Sequence, residues 1–305
     1  PGGAPSGRLQ GVEQEGEKTM GKIVIVGSGP AGCSAALYAA RAGQEVVVIS
    51  MGMGALSKAE LIQNYYGFEE GITGAELYRQ GVAGAKAVGA EFITAEVVGL
   101  DYTGSLVVQT TEGDYPADAV ILATGTGRIA PKIAGLAEHE GRGVSYCATC
   151  DAFFYRGKTA AVLGSGEYAL HEVQALLPLA GRVILCTNGE PLTADFPEGV
   201  EICTEKLAAV EGEEKVSALR LENGELLPVE GLFVALGVAG SAALARKLGA
   251  PVENGRIVVD EKMQTGIPGL YAAGDCTGGL LQVCKAVYEG ALAATEAIKQ
   301  IRGKK

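Results

Sequence analysis

The chain has few of the features that mark a zinc protein, a membrane protein or a secreted precursor. Only two histidines occur in 305 residues, His139 and His171, and no second pair of Cys or His stands at zinc-ligand spacing. No apolar run reaches the length of a membrane span. The first 19 residues have no apolar segment of the kind a signal peptide needs. We therefore expect no metal site and a soluble protein with no membrane partner.

Positive charge is also scarce. The 25 Lys and Arg against 36 Asp and Glu give a net charge of −11, which disfavours nucleic acid and anionic membrane surfaces as partners. The seven cysteines lack the spacing of a disulfide-rich secreted domain, which fits a cytoplasmic protein. A length of 305 residues allows two domains, each with a sizeable hydrophobic core. Residues 1–19 are expected to be a disordered leader or a cloning remnant, with Met20 as the natural start.

The most informative residues present are Cys147 and Cys150, which are separated by two residues and followed by Asp151. Such a pair suits a disulfide that opens and re-forms in each catalytic cycle. The carboxyl group of Asp151 could transfer a proton when a thiolate is the leaving group. Half of a zinc site is the competing interpretation, and a redox disulfide is favoured because the other half is missing.

Two dinucleotide-binding units surround these cysteines. An apolar, β-branched strand pattern leads into Gly27-Ser28-Gly29-Pro30-Ala31-Gly32, and a helical pattern and a second strand follow. Gly27 permits a tight turn, Gly29 lets the backbone approach a pyrophosphate, and Gly32 allows close helix–strand packing. The same unit recurs at 159–185, with Gly164 and Gly166 in its loop. The repetition predicts an α/β protein with two Rossmann-like dinucleotide-binding domains.

These motifs resemble the low-molecular-weight thioredoxin reductases, which are flavoproteins that pass electrons through FAD to a C-x-x-C disulfide. The resemblance covers essentially all of residues 20–302. Beyond the cysteines and the first glycine loop, it rests on segments 64–68, 119–125 and 265–275. It implies an enzyme with FAD as cofactor, thioredoxin or a thioredoxin-like protein as partner, and a homodimer.

The resemblance also implies a domain map and catalytic roles. The FAD domain is expected to be discontinuous, 20–132 and 241–305, with a strand at 257–260 in its resumed part. A pyridine-nucleotide-like domain, 133–240, is inserted and carries the cysteines, and one domain rotates against the other. By resemblance, Cys150 takes electrons at the flavin, Cys147 attacks the partner disulfide and Asp151 is the general acid. A helix N-cap is the alternative role for Asp151.

The residues expected to bind FAD share positions in the glycine loop, at the end of the second strand and in the later motifs. They are Gly27, Ser28, Gly29, Pro30, Ala31, Gly32, Ser50, Asn64, Ala123, Thr124, Gly125, Gly274, Asp275, Gln282 and Val283. Asp275 matches the family's aspartate for the ribityl and phosphate region. Ser50 replaces an acid that would bind a ribose, and Leu281 replaces the arginine of the family's Arg-Gln-Val.

The second unit departs from the NADPH-dependent reductases. Where the family carries cations for the 2′-phosphate, segment 185–198 has no Lys or Arg and three acids, Glu190, Asp195 and Glu198. The chain is therefore closer to the branch that keeps the flavin and the disulfide without the pyridine nucleotide, such as the ferredoxin-dependent flavin thioredoxin reductases. Ferredoxin or another flavin reductant is the expected donor.

Two other functions stay open at this point, and the other cysteines are given minor roles. The alternatives are an ordinary NAD(P)H-dependent flavin enzyme, with thioredoxin or another acceptor, and a flavin redox sensor that does not turn over. Cys33 is predicted to be a core residue of the first helix, and Cys186 and Cys203 are predicted to be isolated on strands and packed as small hydrophobes. Cys276 and Cys284 are the less favoured candidates for an additional redox role.

Overall fold

The computed structural model of the chain describes residues 20–125, 133–237 and 240–303. The predicted leader, 1–19, lies outside these ranges. So do residues 126–132 and 238–239, which fall at the two predicted domain junctions. Within the described ranges, no helix is both long and apolar enough to cross a membrane.

Eighteen strands and six α-helices make up the described chain. The strands are β1 (Lys22–Val26), β2 (Glu45–Ser50), β3 (Glu91–Thr94), β4 (Val97–Tyr102), β5 (Leu106–Thr110), β6 (Gly113–Ala117), β7 (Ala119–Leu122), β8 (Val144–Ser145), β9 (Thr159–Leu163), β10 (Arg182–Cys186), β11 (Glu201–Cys203), β12 (Leu207–Glu211), β13 (Ala218–Leu221), β14 (Leu226–Pro228), β15 (Gly231–Val234), β16 (Val252–Glu253), β17 (Arg256–Ile257) and β18 (Leu270–Ala272). The helices are α1 (Pro30–Arg41), α2 (Gly74–Ala87), α3 (Ala148–Asp151), α4 (Glu167–Leu176), α5 (Ser241–Lys247) and α6 (Val283–Gly303).

The first sheet has five parallel strands in the order β18-β7-β1-β2-β3. Its central strands are continuous apolar runs because both faces are covered. One face packs on α1 and α6, and the other packs on the three-stranded antiparallel sheet β4-β5-β6. A Cβ on Gly290 of α6 would lie 2.0 Å from the carbonyl oxygen of Ala31, so only glycine allows α6 to approach α1 this closely.

The second sheet is also parallel, in the order β11-β10-β9-β15-β8, and a three-stranded antiparallel sheet, β12-β13-β14, accompanies it. The cysteine pair lies between β8 and β9, within this second unit. Strand β18 follows the second unit in sequence and yet pairs with β7 of the first sheet. The predicted fold class is therefore confirmed as two Rossmann-like units, one discontinuous and the other inserted into it.

The strand predicted at 257–260 is largely wrong. β16 and β17 form a short antiparallel hairpin that ends at Ile257. Val258 is exposed, and its amide donates to the carbonyl of Pro251. Ile257 is buried in the core and Val259 packs against it, but neither Val258 nor Val259 belongs to a strand.

Candidate active site

A cleft of about 470 Å³ lies at the carboxyl ends of β1, β7 and β18, beside the N-terminus of α1. Ligands of open parallel sheets bind at this position, where the strands end and the helices begin. Segments 27–31, 123–125 and 273–275 each follow one of the three strands and line the cleft. The topology thus brings together three motifs that are far apart in the sequence.

The start of α1 leaves room and hydrogen-bond donors for an anionic group. Gly29 is the N-cap, with φ −69° and ψ −172°, and has no side-chain capping bond. Pro30 occupies the first turn, which contains no acidic residue. A Cβ on Gly29 would meet nothing within 4 Å, so the space beside the free helix amides is open. These residues fit the pyrophosphate of a dinucleotide such as FAD.

The other two glycines of the motif serve the fold. Gly27 has φ +108°, and a Cβ there would lie 2.4 Å from the carbonyl oxygen of Ala123. A Cβ on Gly32 would lie 1.8 Å from the carbonyl oxygen of Gly27. A side chain at Gly27 or Gly32 would therefore clash with the backbone packed against it, whereas Gly29 faces open space.

All of the predicted cofactor-binding residues except Gly32 and Ser50 line this cleft. Gly32 lies beneath the loop. The hydroxyl of Ser50 donates to Ser28 at 2.7 Å, so Ser50 contacts the cleft wall rather than the open space. Across the cleft, the amide of Asn64 donates to Gln282 at 2.9 Å and joins two motifs that are far apart in the sequence.

Sequence reasoning missed one wall of the cleft. After β2, glycines 52 and 54 take φ +126° and +58° and lead into a 3₁₀ helix, Gly54–Lys58. Met53, Leu56 and the nearby Ile62 line the cleft from this side. These residues belong to no motif, and the two glycines after the strand were the only signal that could have indicated a tight turn there.

A partly buried cation supports the turn that carries Asp275. Lys285 donates to the carbonyl of Gly274 at 2.7 Å and to Thr277 Oγ1 at 2.8 Å, and it pairs with Glu289 at 2.9 Å. Gly274 has φ +86°, a conformation that favours glycine. Lys285 therefore holds this turn at the edge of the cleft. The sequence motifs did not indicate its role.

Cys147 and Cys150 are joined in a disulfide, as predicted. Cys147 is the N-cap of α3, and its sulfur accepts from the Cys150 amide at 3.1 Å. Cys147 is 4% exposed, whereas Cys150 is exposed. Neither cysteine nor Asp151 lines the cleft. Within the described chain, no three His, Cys, Asp or Glu side chains come together as a metal site.

Asp151 is held by a residue that the sequence did not single out. Ser145 donates its hydroxyl to Asp151 Oδ2 at 2.7 Å, and the Ser145 oxygen accepts from the Cys147 amide at 3.1 Å. The Asp151 side chain makes no capping bond to the 3₁₀ helix that follows it, Ala152–Tyr155. The N-cap alternative for Asp151 therefore has no hydrogen bond to support it in this structure.

A buried ion pair lies directly behind the disulfide. Glu172 of α4 and Lys247 of α5 bond to each other, and both side chains are 1% exposed. Glu172 also accepts from the Ala148 amide of α3, and His171 lies 3.3 Å away. Burial alone would raise the pKa of Glu172, but His171, Lys247 and the Ala148 amide together lower it. Glu172 is thus a carboxylate that ties α3, next to the disulfide, to both helices.

The second glycine loop offers less room for an anion than the first. Glu167 stands in the first turn of α4, which Gly166 caps without a side-chain bond. The Thr193 amide donates to the carbonyl of Ser165 at 2.8 Å, and a Cβ on Gly166 would lie 3.0 Å from Thr193 Oγ1. The loop after β10 thereby covers the glycines on which a pyrophosphate would rest.

A carboxyl group from the first unit also faces the start of α4. Glu96 lies beside Glu167 and the Tyr168 amide. Burial, followed by the nearby Glu167 charge, raises the pKa of Glu96, while the hydrogen bond from Tyr168 lowers it. Glu96 Oε1 has no hydrogen-bond partner among the described residues. The N-terminus of α4 is thus already faced by two of the protein's own acids.

Replacing Glu96 with glutamine is expected to raise the melting temperature at pH 7.5. A carboxyl whose folded pKa is raised binds more protons in the folded state, so its contribution to stability falls as pH rises above the ordinary value of 4.5. Because Glu96 is only partly buried, the gain should stay below about 1 kcal/mol. Thermal unfolding at pH 4 and 7.5 measures it, with the exposed Glu91→Gln as control. An equal gain at both pH values would contradict the assignment.

The fold adds a cation beside the second unit that the sequence of segment 185–198 did not indicate. The segment 185–198 has no cation of its own, but the fold brings Lys206 against it: a Cβ on Gly189 would lie 3.2 Å from Lys206 Cε. One lysine therefore borders the loop.

Cys276, a less favoured redox candidate, is buried, and burial raises its pKa to about 11.

The chain has clear relatives among known proteins. Residues 21–290 match the family model described as pyridine nucleotide-disulphide oxidoreductase. A thioredoxin reductase of Aquifex aeolicus is 35% identical, covering 93% of this chain and 94% of that protein. The crystal structure of the atypical thioredoxin reductase TRi from Desulfovibrio vulgaris Hildenborough is 40% identical with a TM-score of 0.87, covering 93% of this chain and 98% of that one. A ferredoxin-flavin thioredoxin reductase from Clostridium acetobutylicum is 35% identical with a TM-score of 0.71, covering 94% and 99%.

Proposed function

We propose a specific reaction for this chain, which belongs to the pyridine nucleotide-disulphide oxidoreductase family and is a disulfide reductase of the thioredoxin reductase type. In the proposal, FAD occupies the cleft at α1, and electrons pass through Cys147 and Cys150 to thioredoxin or a thioredoxin-like protein. The donor is ferredoxin or another flavin reductant rather than NADPH. The expected domain boundaries at 132/133 and 240/241, and the homodimer, are part of this proposal.

The observation that carries the FAD assignment is the open space beside Gly29. The uncapped start of α1 borders a cleft that is also lined by Asp275, Asn64 and Gln282. The corresponding position in the second unit is faced by Glu96 and Glu167. A bound flavin would supply the two electrons that open the disulfide.

The cysteines carry out the exchange once they are reduced. In the assigned order, the Cys147 thiolate attacks one sulfur of the partner disulfide, which forms a mixed disulfide and expels the other partner sulfur as a thiolate. Cys150 then attacks Cys147, which releases the second partner thiolate and re-forms the Cys147–Cys150 bond. Each partner thiolate takes up one proton. In this proposal Asp151 delivers a proton next to the pair, and the hydrogen bond from Ser145 that orients its carboxyl group supports the role.

An exposed aromatic pair supports a protein as the acceptor. Phe153 and Phe154 follow the redox pair on the 3₁₀ helix and are 65% and 67% exposed. The Arg156 guanidinium lies 5.2 Å from the Phe153 ring centre. Exposed aromatic side chains next to a cation are typical of protein-binding surfaces. We include this surface in the proposed contact with the thioredoxin-like partner.

Two features support a donor other than NADPH. The loop after β10 brings Glu190, Asp195 and Glu198 to the second unit, where Lys206 is a neighbouring cation. Thr193 covers the glycine loop, and two acids face the start of α4. The similarity to a ferredoxin-flavin thioredoxin reductase agrees with this donor.

Replacing Gly29 with valine is expected to abolish FAD binding and leave the fold intact. The backbone of Gly29 is extended, which valine adopts, and the added side chain meets only open space in the cleft. FAD occupancy of the purified protein is measured by absorbance, and folding is measured by circular dichroism. Gly84→Ala on α2 is the control, because its Cβ would also fit without a close contact but lies outside the cleft. Full FAD occupancy in Gly29→Val would place the cofactor elsewhere.

NADPH at millimolar concentration is expected to bleach the flavin only slowly. Each missing charge-assisted contact to the 2′-phosphate removes about 1.5–3 kcal/mol, or at least about tenfold in affinity. The test is anaerobic titration of the flavin absorbance with NADPH, NADH and reduced ferredoxin, and dithionite is the control that shows full reduction. Saturable bleaching by micromolar NADPH would return the chain to the NADPH-dependent reductases.

The same preparation tests the acceptor. Dithionite-reduced enzyme, freed of excess reductant, should reduce a thioredoxin disulfide in stoichiometric amount. If the flavin and the cysteines are reduced but no thioredoxin-like disulfide is turned over, the redox-sensor alternative is favoured. Donor and acceptor are thereby assessed separately.

A further inference from the structure

Cys186 and Cys203 are neighbours in the structure, which makes the prediction that they are isolated wrong. Cys186 is the last residue of β10 and Cys203 the last of β11, and the two pair in register in a parallel ladder. Neighbouring parallel strands lie about 4.8 Å apart. That separation falls in the range of about 4.4–6.8 Å between Cα atoms that a disulfide spans.

The two thiols also lie on the same face of the sheet. Cys186 belongs to the buried apolar cluster that includes Ile184 and Leu207, and the partly buried Cys203 packs against that cluster. Cys186 is fully buried, whereas solvent reaches part of Cys203. An oxidant would therefore meet Cys203 first, with Cys186 directly beside it.

The surroundings of the two thiols give them different pKa values. A hydrogen bond from the Cys186 thiol, assisted by a backbone bond at Glu205, lowers the pKa of Cys203 to about 6 despite partial burial. The same hydrogen bond, together with burial, raises the pKa of Cys186. Cys203 is therefore the more acidic thiol of the pair and the one that supplies the nucleophilic thiolate.

We propose that Cys186 and Cys203 form a second redox-active pair, which a hydroperoxide oxidises to a disulfide. The Cys203 thiolate attacks the terminal peroxide oxygen, the O–O bond breaks and a sulfenic acid forms; the departing hydroxide or alkoxide takes one proton from solvent and leaves as water or an alcohol. The Cys186 sulfur then attacks the Cys203 sulfur, the S–O bond breaks, the Cys186 proton goes to the departing hydroxide, and this hydroxide leaves as water. Two thiols lose two electrons in total, and the hydroperoxide gains them.

The location separates this pair from the proposed reductase site. Neither cysteine lines the α1 cleft or contacts the Cys147–Cys150 disulfide among the described hydrogen bonds. The pair stands at the base of the loop whose Thr193 covers the second glycine loop. Closure of a disulfide here would join β10 and β11 on both sides of that loop.

Peptide mapping of the holoprotein tests the proposal. The protein is treated with hydrogen peroxide at one to two equivalents, quenched by alkylation, digested without reductant and analysed by mass spectrometry. We expect a cross-link between the Cys186 and Cys203 peptides with the loss of two hydrogens. Cys203 should be consumed at least tenfold faster than Cys284, the exposed free cysteine that serves as the internal control.

Two variants distinguish the roles. In Cys186→Ser, Cys203 should stop at the sulfenic acid, which dimedone traps. In Cys203→Ser, Cys186 should remain alkylatable after unfolding. Oxidation of Cys203 in the wild-type protein no faster than that of Cys284, or without a cross-link to Cys186, would overturn the proposal even if neither variant folds.

Discussion

Replacing Lys247 with methionine is expected to lower the free energy of unfolding by about 3–5 kcal/mol. Lys247 and Glu172 are each 1% exposed, so removal of the ammonium leaves a carboxylate buried without its counter-charge. The Ala148 amide and His171 remain as partners, which keeps the loss toward the lower part of that range. Urea unfolding at pH 7.5 measures it.

Two further variants show whether that loss of stability comes from burying an unpaired charge. Lys299→Met removes a surface partner of Glu296, with the lysine side chain 66% exposed, and should cost less than about 1 kcal/mol. The double variant Glu172→Gln, Lys247→Met buries no charge and should recover part of the stability. A loss for Lys247→Met no larger than for Lys299→Met would show that the buried pair does not contribute in this way.

The direction of the pH dependence follows from the same contacts. Because the folded pKa of Glu172 is lowered, the wild-type ion pair stabilises the protein above the ordinary glutamate pKa, and this stabilisation is lost as pH falls through the folded pKa. In Lys247→Met, by contrast, protonation relieves the unpaired carboxylate. The difference between the two proteins should therefore shrink on acidification.

Replacing either redox cysteine with serine is expected to abolish disulfide turnover, and the two variants should differ in what they trap. With the assigned roles, Cys150→Ser leaves Cys147 able to hold a thioredoxin-like partner as a mixed disulfide. Cys147→Ser traps no partner but keeps a thiolate at Cys150, which should give a long-wavelength absorbance band with the flavin. Non-reducing gel electrophoresis and absorbance read out the two outcomes.

The structure makes this test sharper, because Cys147 is 4% exposed while Cys150 is exposed. An attack by Cys147 on a protein disulfide requires its sulfur to be uncovered, which the domain rotation expected from the resemblance would provide. Trapping at Cys150 instead would exchange the two roles. Cys284→Ser, at an exposed free cysteine, should retain full activity.

The features that could be predicted from sequence are those carried by short, contiguous segments. The glycine loop at 27–32 and the C-x-x-C sequence each fix their own geometry, and the recurrence of the loop predicted both Rossmann-like units. Even there, local reasoning was incomplete. The hydrogen bond from the Ser50 hydroxyl to Ser28 was not indicated by the sequence.

The features that could not be predicted depend on residues that meet only after folding. Lys247 reaches Glu172 from another helix, and Glu96 reaches the start of α4 from the first unit. Cys186 and Cys203 become neighbours through the strand order of the second sheet, and no spacing rule links them. Ser145 can donate to Asp151 because β8 ends beside α3. A strand of only two residues leaves no pattern in the sequence from which this contact could be predicted.

The return of the chain to its first sheet has a consequence for synthesis on the ribosome. The N-terminal strands emerge first, but β18 and α6, which complete that sheet and cover α1, come from the last 34 of the residues described, 270–303. Every strand of the second sheet has left the ribosome before them. The inserted unit can therefore fold before the last strand of the surrounding unit has been synthesised. The cleft at α1, which needs the residues after β18, is then completed last.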